Sequence, residues 1–108
     1  MKTLKFTDEL VNKVLNGERI KTWRLWDDKN LQTGDIVLFL KGEDRVPFAK
    51  AKLINVVEKR FDQIDKSDLV GHEVDFNKIY ETANKFYNRL VTDDTPTNII
   101  SFEILEKY

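Results

Sequence analysis

The run Ile36-Val37-Leu38-Phe39-Leu40 constrains the fold most, because it sets large apolar side chains one after another. Successive side chains of a β-strand point to opposite faces, so a strand over this run is apolar on both. Such a strand must be covered on each side. The run therefore predicts a central strand, and Gln32-Thr33-Gly34-Asp35 predicts a structural turn leading into it.

Other segments show the alternation of apolar and polar residues that is typical of strands with one solvent-exposed face. In Phe48 to Lys59, Ala49, Ala51 and Leu53 alternate with Lys50, Lys52 and Asn55. The wet face predicts solvated lysines, with a nucleic-acid backbone contact as the alternative. The remaining predicted strands are Met1 to Phe6, Ile20 to Leu25 and a closing strand through Ile100, Phe102 and Ile104.

Two segments have the apolar stripe of an amphipathic helix. The first has Thr7 as its N-cap and ends at Asn16-Gly17, where glycine permits a left-handed residue. The second begins at Asp75 and ends before Asp93-Asp94-Thr95-Pro96. The predicted stripes are Leu10, Val11, Val14 and Leu15 in the first helix, and Phe76, Ile79, Tyr80, Ala83, Tyr87 and Leu90 in the second. The predicted fold class is α+β.

Length and composition limit what the chain can do. A chain of 108 residues without repeats or linkers is expected to form one domain, residues 1–108, with one modest core. The absence of cysteine excludes disulfides and thiolate zinc sites. No signal peptide or membrane-spanning stretch is present, so we expect a cytoplasmic protein without a membrane partner. A net charge of −1 argues against coating nucleic acid through phosphate contacts alone.

Three short motifs stand out in the sequence. They are Gly17-Glu18-Arg19-Ile20-Lys21-Thr22-Trp23-Arg24-Leu25 with Asp27-Asp28-Lys29, then Thr33-Gly34-Asp35, and finally Gly71-His72-Glu73. In order and spacing they resemble the ASCH family, over about Leu10 to Leu105. The resemblance implies a PUA-like β-barrel of about five to six strands with two to three covering helices. It also implies a cleft for RNA or a nucleobase-containing small molecule, bound without a cofactor.

The resemblance also suggests an enzymatic alternative. Some small ASCH proteins resemble amidohydrolases that remove an acetyl group from N4-acetylcytidine with a lysine, a threonine and a glutamate. Carried over by motif, the threonine is Thr22 and the glutamate is Glu73, but the lysine position holds Arg19. A guanidinium stays protonated and cannot act as the amine, so Lys21 is the candidate replacement. A protein-interaction domain with a vestigial cleft is a third hypothesis.

The candidate ligand-binding residues are Arg19, Trp23, Arg24 and His72. The basic residues would grip a phosphate or carboxylate, with a solvated strand face as the alternative. Trp23 would stack on a base, with burial in the core as the alternative. His72 is expected to position the Glu73 loop. A metal site is not expected, because this single histidine has no cysteine to assist it.

Overall fold

One five-stranded sheet organises the computed structural model, which describes residues 1–69 and 74–108. The strands are β1 (Lys2–Phe6), β2 (Lys21–Leu25), β3 (Ile36–Lys41), β4 (Val46–Arg60) and β5 (Pro96–Lys107). Their order in the sheet is β1-β3-β4-β5-β2. The first and second strands of the chain therefore form the two opposite edges.

The long strands β4 and β5 pair antiparallel and form the middle of the sheet. Their register shifts between Lys50 and Ala51 and again between Leu53 and Asn55, and irregularities of this kind bend and twist a strand. The sheet curls into an open half-barrel. Its other contacts are the antiparallel pairs β3 with β4 and β2 with β5, and the parallel pair β1 with β3.

Two α-helices cover the curled sheet, α1 (Asp8–Leu15) and α2 (Ile79–Tyr87). Short 3₁₀ helices span Phe61–Gln63, Lys66–Leu69 and Phe76–Lys78. The last of these precedes α2 directly, and the Asp75 side chain caps it by accepting a 2.9 Å hydrogen bond from the Asn77 N–H. No helix within the described residues is long and apolar enough to span a membrane.

The apolar side chains form two clusters. The first lies inside the half-barrel under α1 and is built around Phe6, Phe39, Phe48 and Phe102, with Phe6 and Phe39 ring centroids 4.8 Å apart. The second lies between β2, β5 and α2 and contains Leu25, Phe61, Ile79, Ala83 and Ile99. Strand β2 contributes to this second cluster and also faces the barrel interior.

The predicted α+β class is confirmed, with five strands and two α-helices in the described part of the chain. β3 is an interior strand, as its apolar run predicts, but the central position belongs to β4. Leu90 was wrongly placed on the buried stripe of α2 and is 74% exposed. The helix ends before it because Asn88 is left-handed, with φ 51°. Thr7 precedes α1 but its side chain makes no capping hydrogen bond.

A buried carboxylate fixes the segment that follows β4. Asp68 is 4% exposed and accepts hydrogen bonds from Lys59 Nζ at 2.9 Å and from the Asp65 N–H at 3.1 Å. These bonds tie the 3₁₀ helix Lys66–Leu69 to β4, and the same helix packs against β2. Asp68 therefore anchors this short helix to the sheet.

We predict that Asp68→Ala lowers the free energy of unfolding by about 1–3 kcal/mol, because it leaves the partly buried Lys59 ammonium and the Asp65 N–H without their Asp68 acceptor. Urea denaturation measures this loss. Asp62→Ala is the control, because Asp62 pairs with the exposed Arg60 on the surface, and it should stay close to wild type. Equal effects of the two substitutions would contradict the anchoring role of Asp68.

Candidate functional site

The strongest candidate site lies where the two edges of the sheet face each other. β1 and β2 do not pair, and a cavity of about 150 Å³ fills the gap between them. Helices α1 and α2 close its sides. The lining residues are Lys5, Phe6, Thr7, Leu10, Arg19, Thr22, Trp23, Arg24, Val74, Thr82, Phe86 and Tyr87.

Strand β2 supplies the polar wall of this cavity. Its side chains alternate, so Thr22 and Arg24 share one face and Lys21, Trp23 and Leu25 share the other. Thr22 is 3% exposed, and its hydroxyl makes no hydrogen bond to any residue that the structure describes. That hydroxyl can therefore donate to or accept from a ligand.

Arg24 bridges the open edges of the half-barrel. Its Nη2 donates to the Lys5 carbonyl oxygen on β1 at 2.8 Å, and the guanidinium carbon lies 4.9 Å from the Phe6 ring centroid. Its buried Nε–H has no hydrogen-bond partner, and no carboxylate pairs with the guanidinium in the part of the chain described. Desolvation by burial lowers the pKa of Arg24, although Tyr87 acts in the opposite direction. A half-buried cation with a buried, unsatisfied N–H and no acid partner is well suited to an incoming acceptor.

Helix α2 is held over the cavity by two tyrosines. The Tyr87 hydroxyl accepts a 3.1 Å hydrogen bond from the Leu25 N–H, at the open edge of β2. The Tyr80 hydroxyl donates to Asp93 at 2.5 Å, and this bond raises the pKa of Tyr80 to about 12. Both bonds fix the helix that presents Thr82 and Phe86 to the cavity.

The structure brings four of the predicted site residues together. Arg19, Thr22, Trp23 and Arg24 line the cavity, whereas Lys21 is not among its lining residues. Trp23 also packs against Phe61, with ring centroids 5.9 Å apart, so it contributes to the core as well as to the cavity wall. The predicted residues His72 and Glu73 lie outside the described residues. The chemical roles assigned to all of these residues stay predictions.

Several lining residues were missed by the sequence reasoning. Lys5 belongs to a strand remote in sequence, and no local pattern connects it with β2. Phe86 carried a usable signal in the sequence, because it is an aromatic residue outside the predicted apolar stripe of α2. In the structure it is 63% exposed.

The cavity combines apolar walls with a few hydrogen-bonding groups, which is the usual composition of a small-molecule site. Phe6, Leu10, Trp23, Phe86 and Tyr87 supply the apolar surface. The polar groups are two guanidinium groups, an ammonium group and three threonine hydroxyls. A metal centre has no support within residues 1–69 and 74–108, which hold no cluster of three or more His, Cys, Asp or Glu.

The curled sheet and its two covering helices form a fold similar to that of an ASCH domain. One similar solved structure is the ASCH domain from Lactobacillus crispatus JV V101, with a TM-score of 0.66 and 16% identity over 86% of this chain and 68% of that one. The protein EF3133 from Enterococcus faecalis V583, described with the family model DUF984, has a TM-score of 0.81 and 19% identity, covering 100% of this chain and 78% of that one. The hypothetical protein PH0355 has a TM-score of 0.73 and 18% identity, covering 97% of this chain and 100% of that one.

The sequence itself matches no family model and no curated protein. Identities below 20% support the likeness of fold and leave the ligand to be argued from the site. The predicted ASCH-type fold is thus confirmed by structure.

We predict that Arg24→Met leaves the free energy of unfolding within about 1 kcal/mol of wild type, or raises it. The substitution loses a charge-assisted hydrogen bond, about 1.5–3 kcal/mol, and a cation–π contact of about 0.5–1 kcal/mol. It also removes the partial desolvation of an ion without an acid partner, a cost of up to several kcal/mol. Urea denaturation decides between these effects.

The control is Arg60→Met, which alters an exposed arginine outside the cavity and should also stay near wild type. A loss of more than about 3 kcal/mol for Arg24→Met alone would show that Arg24 serves mainly to hold the two edges together.

Proposed function

We propose that this domain binds a single nucleobase in the cavity between β1 and β2, as part of a nucleoside or of single-stranded RNA. The observation that carries the proposal is the Arg24 guanidinium in the cavity wall, which has a free Nε–H and no acid partner among the described residues. A pyrimidine base offers carbonyl and ring-nitrogen acceptors to such a donor.

The size of the cavity favours one ring. Cavities of about 150 Å³ with apolar walls are large enough to hold benzene. A pyrimidine has the same six-membered ring, whereas a purine has two fused rings. We therefore infer preference for a pyrimidine, with the ribose in the opening.

The side chains around the cavity suit a flat ring with polar edges. Trp23, Phe86 and Tyr87 present aromatic surface on which a base can stack. Thr22 and Arg24 offer hydrogen bonds to the edge of that base. Base stacking and edge contacts of this kind need little net positive charge, in keeping with a chain of net charge −1.

Binding is favoured over amide hydrolysis by the arrangement of the amines. Lys21 does not line the cavity, and Arg19, which does, carries a guanidinium that stays protonated. Lys5 borders the cavity, but its ammonium forms a surface ion pair with Glu43 at 3.1 Å. None of these groups is a desolvated amine of the kind that acts as a nucleophile or base. We therefore propose a binding domain rather than an acylcytidine hydrolase.

The expected affinity is modest. Cytidine has about 17 non-hydrogen atoms, and about 0.3 kcal/mol per atom gives roughly 5 kcal/mol, or a Kd near 0.2 mM. Titration calorimetry with cytidine, uridine, adenosine and guanosine measures this. We expect both pyrimidine nucleosides to bind more tightly than either purine nucleoside.

Two substitutions on α1 provide a matched test. Leu10→Trp should fill the cavity and abolish cytidine binding, because Leu10 lines it. Leu15→Trp makes the same change on the same helix but away from the cavity, and should leave binding intact. Absence of nucleoside binding at millimolar concentration, or equal binding by both folded variants, would contradict the proposal.

A further inference from the structure

A second cavity, of about 250 Å³, adjoins the first cavity along the same gap between β1 and β2. Lys5, Arg24, Phe86 and Tyr87 line both cavities, so these four residues form a shared boundary. The second cavity continues along β1 past Thr3 to the loop after β2 and to the β3–β4 turn. A ligand larger than one base can therefore extend from the first cavity into the second.

The second cavity concentrates positive charge in a chain whose net charge is −1. Its cationic lining residues are Lys5, Arg24, Lys29 and Arg45, against the two acids Asp27 and Asp28. A local excess of cations at the rim of an apolar cavity is typical of an anion-binding site.

Asp27 is committed to the structure of its loop. Its Oδ1 accepts from the Lys29 N–H at 2.9 Å, and its Oδ2 accepts from the Leu31 N–H and from Asn98 Nδ2, both at 3.0 Å. Its two carboxylate oxygens thus accept from three donors, and Asp27 is poorly placed to pair with a cation of the cavity. Asp28 is solvent-exposed.

Arg45 and Lys5 are the cations most available to a ligand. The Arg45 side chain makes no hydrogen bond or ion pair with any other described residue. Its backbone is left-handed, with φ 55°, in the turn that connects β3 to β4. Among the described residues, Lys5 pairs only with Glu43, whose side chain is 94% exposed, and such surface pairs are weak.

We propose that the second cavity is a phosphate subsite. This inference rests on the proposed function: with a pyrimidine base in the first cavity, the ribose spans the shared boundary and its phosphate contacts Lys5 and Arg45. The ligand class is then a pyrimidine nucleotide unit, either free or within single-stranded RNA. Arginine binds phosphate oxygens through two parallel hydrogen bonds, which suits the unpartnered Arg45 guanidinium.

The test compares cytidine with cytidine 5′-monophosphate by titration calorimetry at low and at physiological salt. We expect the monophosphate to bind about tenfold or more tightly than cytidine at low salt, and to lose most of that advantage as salt rises. Arg45→Gln should reduce monophosphate affinity about tenfold while leaving cytidine affinity unchanged. Lys5→Gln should likewise reduce the affinity for the monophosphate.

Arg60→Gln is the matched control, because Arg60 is also exposed but lines neither cavity, and it should change neither affinity. Cytidine binding without a gain for the monophosphate would overturn the phosphate subsite and leave the proposed function standing. A gain that survives both Arg45→Gln and Lys5→Gln would also overturn it. Failure of both ligands to bind would refute the two proposals together.

A third titration distinguishes the source of the phosphate. A single-stranded oligocytidine that binds at least as tightly as the monophosphate, and weakens equally on Arg45→Gln, would identify RNA as the ligand. A monophosphate that binds more tightly than the oligonucleotide would identify the free nucleotide, since a phosphomonoester carries more charge than a backbone phosphodiester.

Discussion

The unpaired seam between β1 and β2 is the constraint on which the rest of the structure depends. Backbone groups along an open sheet edge need partners, and here side chains supply them. The Lys5 carbonyl accepts from Arg24, the Thr3 carbonyl accepts from Lys29 at 2.8 Å, and the Leu25 N–H donates to Tyr87. Because side chains bridge the edges, a gap remains between the strands, and that gap is the cavity.

In the proposed function, the same residues serve both stability and ligand binding. Arg24 connects the edges but is half-buried and has a buried, unsatisfied Nε–H, so its position is costly for the domain alone. The packing of the phenylalanine core around Phe6 and Phe39, inside the half-barrel, offsets this cost. Conformations that cost energy in the free protein are concentrated where a ligand completes the interactions.

The sequence predicted the elements better than the site, for a physical reason. Alternating and helical patterns are local, so the strands and both helices were found, and the cavity-lining stretch from Arg19 to Arg24 was found with them. Lys5 and Phe86 reach the same cavity only through the order β1-β3-β4-β5-β2, which local periodicity does not encode. Leu90 was misplaced because the left-handed Asn88 ends the helix one turn earlier than the apolar pattern suggests.

The most direct test of the central claim is an amide and arginine Nε–H chemical-shift map of the ¹⁵N-labelled domain during titration with cytidine. The account predicts saturable shifts concentrated on Lys5, Thr22, Arg24 and Phe86, including the Arg24 Nε–H. Shifts confined instead to the exposed apolar surface around Ile20, Ile54 and Leu105 would contradict it, because that surface lies outside the seam. A map without saturable shifts would contradict it equally.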